Sequence, residues 1–136
     1  SYLSPQHRDA PGSGCPAAAL AVDAARAGGA LSQVFADGIE RNIQRFAQLL
    51  ADSTPAAPTM PVVPAGTAPQ DADEATAAAA AAIHRAHAMQ VLATMVGGLV
   101  LARATAAAQP GLSEEILTTL QDQLIQWLEA PSAEGR

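Results

Sequence analysis

The sequence predicts an all-α fold. Three observations carry that reading. Apolar residues recur at steps of three and four over two long stretches, which places them on one face of a helix. Alanine supplies much of the 49% apolar content and favours helix while filling little volume. Proline and glycine then punctuate the chain where helices would start and stop. At 136 residues the chain forms one domain at most, just large enough to bury a core.

Residues 1–14 hold Pro5, Pro11, Gly12 and Gly14, which is loop chemistry. Pro16 suits a first helical residue, because its missing N–H would have no intrahelical partner there. A short Ala-rich helix is expected from Pro16 to about Ala27, closed by Gly28-Gly29. The second helix, expected over about Ala30–Ala51, has the clearest period. Leu31, Val34, Phe35, Ile39, Ile43, Phe46, Leu49 and Leu50 share one face, and Asp37, Glu40, Arg41, Gln44, Arg45 and Gln48 take the other. Asn42 falls within the apolar face. Asn42 is either a residue at the rim of that face or one whose amide is satisfied by backbone, water or a ligand.

Residues 52–70 change character. Pro55, Pro58, Pro61 and Pro64 repeat every third residue and Pro69 follows. Proline cannot continue a helix, and a period of three matches the turn of polyproline II. The segment reads as a stiff Pro-rich linker within the domain, long for a connection between packed helices.

The third helix is expected from Asp71 to about Ala107, with Asp73 and Glu74 favoured by the positive end of its dipole. Its second half is apolar on two sides. Ala88, Leu92, Met95, Val96 and Leu99 form a bulky stripe, while Ala93, Thr94, Gly97, Gly98 and Leu101 lie roughly opposite and are mostly small. A helix that is apolar all round must be covered all round, so one face wants a further element or a second copy of the chain. Gln109-Pro110-Gly111 breaks this helix. Ser113 is the expected cap of the fourth, with Glu114 and Glu115 in its first turn, and Pro131 stops it. Ile116, Leu117, Leu120, Leu124, Trp127 and Leu128 make its stripe; Ile125 lies off it.

Charge and cysteine content narrow the function. Lysine is absent, and seven basic against thirteen acidic residues give a net charge of −6. That balance argues against these residues holding a phosphate backbone, so no DNA-binding residue is expected in this chain. A single cysteine, Cys15, excludes an internal disulfide. Ala88–Ala102, flanked by Arg85 and Arg103, falls short of the roughly 20 residues a bilayer requires. It reads as a buried helix, so no membrane partner and a cytoplasmic location are expected.

Residues with latent chemistry are few. His84 and His87 lie three apart on a helix, but two ligands make no metal site, and His7 and Cys15 join them only by a coincidence of folding. No metal or cofactor is expected. His7, Asp9 and Ser13 offer triad residue types with nothing to orient them, so no catalytic residue is assigned and no enzyme is expected. Cys15 precedes a helix N-terminus, where a thiolate is favoured; it is either a redox sensor or a packed, inert thiol. Phe35, Ile39, Asn42, His84 and His87 are the candidate small-molecule contacts.

Two segments carry a family resemblance. Tyr2-Leu3-Ser4-Pro5-Gln6-His7-Arg8-Asp9, running into Gly14-Cys15-Pro16-Ala17-Ala18-Ala19-Leu20, resembles the entry to the ligand-binding half of the TetR/AcrR family of bacterial transcription regulators. Met95-Val96-Gly97-Gly98-Leu99-Val100-Leu101-Ala102-Arg103-Ala104, then Leu112-Ser113-Glu114-Glu115-Ile116-Leu117, resembles that family's closing helix pair. Residues 52–70 depart from the family pattern. The opening motif lies mid-chain in the family, whereas here it begins at Ser1, so the expectation is a fragment whose helix-turn-helix part lies upstream.

The resemblance implies one helical effector-binding and dimerisation domain over residues 1–136, its last two helices pairing across a twofold axis as a four-helix bundle. It implies a homodimer, a repressor released by a small ligand, and operator DNA reached only through the missing N-terminal part. Thr94, Gly97, Gly98, Leu101, Ile116, Leu120, Leu124 and Trp127 are the expected dimer interface. An aromatic-poor, Ala-rich wall fits a small apolar or amphipathic effector. The alternative is a stand-alone helical interaction module that presents the Pro-rich segment to a partner.

Overall fold

A computed structural model describes residues 1–53 and 70–129. Among these, five α-helices and one 3-10 turn make an all-α fold: α1 Pro5–Asp9, the turn Pro11–Ser13, α2 Pro16–Ala27, α3 Gly29–Ser53, α4 Gln70–Ala106 and α5 Pro110–Glu129. The Pro-rich stretch expected as a linker lies almost wholly outside the described residues.

The N-terminal stretch is more ordered than its proline and glycine content implies. Ser4 takes an extended conformation and its Oγ accepts the His7 amide N–H at 3.2 Å, capping α1. Pro5 then occupies the first turn. Between α2 and α3 the break falls where glycine is required. Gly28 and Gly29 have φ of +61° and +55°, a left-handed backbone that side chains disfavour.

At its other end α4 gives way to α5 at Gln109, and Pro110 rather than Ser113 opens α5. Ser113 is therefore not the cap the sequence implied. It lies inside the first turns of α5 and is wholly buried.

The 37-residue α4 is the spine, about 55 Å long at 1.5 Å per residue. Every other helix packs against it. Two separate clusters sit along its length. Leu99 and Ala102 pack with Leu3 and Leu117, and Tyr2, Ala18, Ile116, Leu120 and Leu124 surround them. Ala88 and Leu92 pack with Ile43, flanked by Ile39, Phe46, Ala47, Leu50 and Val96. The α3 stripe is thus only half used. Leu31, Val34 and Leu49 are exposed, because α3 meets α4 along its Ile39–Ile43–Phe46–Leu50 edge alone. Arg85 of α4 closes the outside of that contact with a paired hydrogen bond to both Glu40 oxygens at 2.7 Å.

The first cluster is sealed by a polar clamp. Arg8 Nη1 donates to Ser113 Oγ at 3.0 Å, and Ser113 Oγ donates to the Ala102 carbonyl at 2.7 Å. Arg103 donates from Nε to the Arg8 carbonyl at 3.1 Å and from Nη2 to the His7 carbonyl at 2.8 Å. These bonds satisfy the C-terminal carbonyls of α1 and pin it over the α4–α5 corner. Leu3 is pressed into the core beside them, 3% exposed, where burial of such a side chain contributes about 1.5–3 kcal/mol.

Replacing Ser113 by Ala should cost about 1 kcal/mol, the net worth of the bond from its buried hydroxyl to the Ala102 carbonyl. Urea denaturation followed by circular dichroism measures this. A loss within error of zero would show that the clamp does not hold the corner.

Candidate functional site

The α4–α5 pair has one flank that its own chain covers and one that it leaves open. On the covered flank a side chain at Gly98 would collide. An added Cβ would lie 2.5 Å from Leu120 Cδ1 and 3.2 Å from Leu3 Cδ2. On the open flank Gly97 has nothing within 4 Å of the same hypothetical atom, and Leu101, one turn later, is 55% exposed. Helical spacing carries this open flank back through Thr94 and Gln90 to Ile83. The charged α4 residues between Ile83 and Thr105, Arg85 and Arg103, both point to other sides, where they hold Glu40 and α1.

Further along this flank a groove of about 400 Å³ lies between α4 and α5. Gln90, Val91 and Thr94 come from α4, and Gln123, Leu124 and Trp127 from α5. The Trp127 ring meets the His87 ring edge-on, with centroids 5.0 Å apart and planes at 84°. A second hollow of about 300 Å³ lies on the other side of α5, lined by Leu3, Pro5, Glu114, Leu117, Thr118 and Gln121.

The expected small-molecule contacts do not converge. Ile39 is spent on the core beside Ile43, Phe35 is half-buried, and Asn42 is exposed on the outer edge of α3 with Leu31 and Leu49. Asn42 thus takes the rim position the sequence left open to it. His84 and His87 are half-buried on α4, and of these only His87 reaches the groove region, through Trp127.

The expected interface residues divide. Gly98, Ile116, Leu120 and Leu124 belong to the packing of α4 on α5 within one chain. Gly97 and Leu101 remain open, while Thr94, Leu124 and Trp127 line the groove. Gln90, Val91 and Gln123 are groove residues that the sequence reading passed over. Their signal is the i, i+4 pairing of Gln90 with Thr94 and of Gln123 with Trp127, which stacks each pair on one face.

A second polar cluster gathers at the N-terminus. His7 Nδ1 donates to the Tyr2 carbonyl at 2.8 Å and its Nε2 accepts the Cys15 amide N–H at 3.0 Å, which fixes the tautomer. The Tyr2 and His7 rings meet edge-on, centroids 4.6 Å apart. The Tyr2 hydroxyl is buried without a well-formed hydrogen bond. Burial, then the neighbouring Cys15 thiol, raises its pKa far above the usual phenol value, and the Arg103 charge opposes this only in part. For Cys15 burial pushes the thiol up, but the Tyr2 hydroxyl, the Ala18 and Ala17 amides and Arg103 together prevail, and the net direction is down. No group of three or more metal-ligating side chains exists among the described residues. One described helix, Glu74–Ala106, is long and apolar enough to cross a membrane by length and composition, and a third of its most apolar window is buried inside the fold.

Comparison with protein-family models, with curated proteins and with solved structures finds no match for this chain.

Tyr2 is the sole tyrosine. Its raised pKa means the unfolded chain releases the phenolic proton first, so stability is full below the ordinary tyrosine value of about 10 and falls as pH rises beyond it. An alkaline titration read at the phenolate absorbance should therefore show ionisation coincident with loss of helix, above the midpoint of the urea-unfolded chain. A midpoint equal to that of the unfolded chain would place the hydroxyl in solvent.

Proposed function

We propose that this chain is the effector-binding and dimerising region of a TetR-type transcription regulator. The observation that supports it most is the open flank of α4, where Gly97 is unobstructed, Leu101 is exposed beside it, and Arg85 and Arg103 are engaged on other sides. A flank built this way suits close approach by a second helix pair. An identical copy related by a twofold axis presents the same residues, so one surface serves both sides of a closed dimer.

The groove between Gln90 and Trp127 lies on the same flank, a few turns further along. A small molecule seated there would change how α4 and α5 lie against each other, and so change how two copies fit. Binding then favours one dimer geometry over another by its difference in affinity for the two, which is how an effector would release a DNA-bound pair of heads. In this reading a separate basic segment contacts the DNA, since the chain itself carries a net charge of −6.

Sedimentation equilibrium tests the dimer. The wild-type chain is expected near twice its 13.7 kDa mass. Leu101→Arg and Gly97→Arg are each expected to sediment at the single-chain mass with unchanged helical circular dichroism, because a buried unpaired charge on each copy opposes association. A wild-type chain that remains at 13.7 kDa across the accessible concentration range would remove the reading's main support.

A further inference from the structure

The groove's lining is selective in a way its position does not require. Val91, Leu124 and the Trp127 indole give it an apolar wall, and Gln90, Gln123 and Thr94 place two carboxamides and one hydroxyl around it. None of the six is ionisable. Gln90 and Gln123 come from opposite helices and both are exposed at the groove's edge. Each carboxamide both donates and accepts, so a pair of them matches a ligand edge that also does both. The indole, braced edge-on by His87, offers a flat surface that a planar ring covers well. A volume of about 400 Å³ falls at the small end of the range for drug-sized ligands.

We propose that the α4–α5 groove binds a planar, uncharged aromatic ligand bearing a carboxamide-like hydrogen-bonding edge, with Trp127 against its ring and Gln90 and Gln123 on its polar edge. The proposal rests on the ligand-binding half of the function proposed above; the dimerising half does not enter it. A carboxylate of the same shape would find no cation on the lining to pair with, and a cationic ring would find no carboxylate. The lining therefore offers a neutral ring hydrogen bonds that it does not match with an ion pair for a charged one.

Benzamide and benzoate test this as a matched pair that differs in charge and not in shape. Two-dimensional proton–nitrogen spectra of the whole chain report the side-chain amides of Gln90 and Gln123 and the single indole N–H of Trp127. Benzamide is expected to shift these three signals saturably, and benzoate to bind about tenfold more weakly or worse. Gln90→Ala and Gln123→Ala lie on exposed helical positions and should fold normally, while each weakens benzamide several-fold. Equal binding of benzoate, an absence of saturable shifts, or shifts centred on Ile39 and Phe46 would each overturn the proposal. A dimeric chain that ignores benzamide removes the ligand class alone, whereas a monomer that binds it removes only the dimer reading.

Discussion

The missing side chain at Gly98 is the constraint on which the rest of the structure depends. Two helices and the N-terminal segment meet there, with Leu120 of α5 and Leu3 both resting against bare α4 backbone. Close approach at that point lets Leu99, Ala102 and Leu117 share one small core, and it brings Ser113 within reach of the Ala102 carbonyl. Once Ser113 is drawn in, its hydroxyl is the natural acceptor for Arg8, and α1 settles onto the corner. A domain this rich in alanine has few large side chains to fill space. It gains its packing by bringing backbones together rather than by interlocking bulky residues.

Gly97 and Gly98 are adjacent in sequence and opposite in meaning. Helical geometry turns successive residues by about 100°, so one glycine faces the chain's own α5 while the other faces outward. The periodic pattern alone grouped both with the small face of α4. Only the direction from which α5 approaches separates an internal contact from an open one. The same holds for Ile116, Leu120 and Leu124, whose stripe is equally suited to covering α4 or to meeting another molecule; the folded chain uses it on α4.

The order and type of the main helices were legible because each carries its own punctuation, as Pro16, Gly28-Gly29 and Pro110 show. What escaped the sequence depended on contacts distant along the chain. Residues 1–14 look like loop until Arg103, ninety-odd positions away, supplies the donors for the α1 carbonyls. Asn42 falls in the apolar face by periodicity, and the rim position open to it in the sequence is the one it takes, because α3 touches α4 along one edge only. The groove was invisible because glutamine on a helix surface carries no expectation of a ligand. Its meaning comes from Gln90 and Gln123 standing on two different helices that line the same groove.

The two hydrophobic clusters share no residue and are joined through α4, where Leu92 of one and Leu99 of the other lie seven positions apart, about 10 Å along the axis. The domain is in this sense two small bodies threaded on one helix, with Gly97-Gly98 between them. Adjacent glycines are where a helix bends most readily, so the two bodies meet at the most pliable point of α4. Further along α4, the carbonyl of Ala102 and the guanidinium of Arg103 are anchored to Ser113 and α1. A bend at the glycine pair would therefore swing the body built on Ile43 against a corner that Ser113, Arg103 and α1 hold fixed, and α4 acts as the domain's hinge pin.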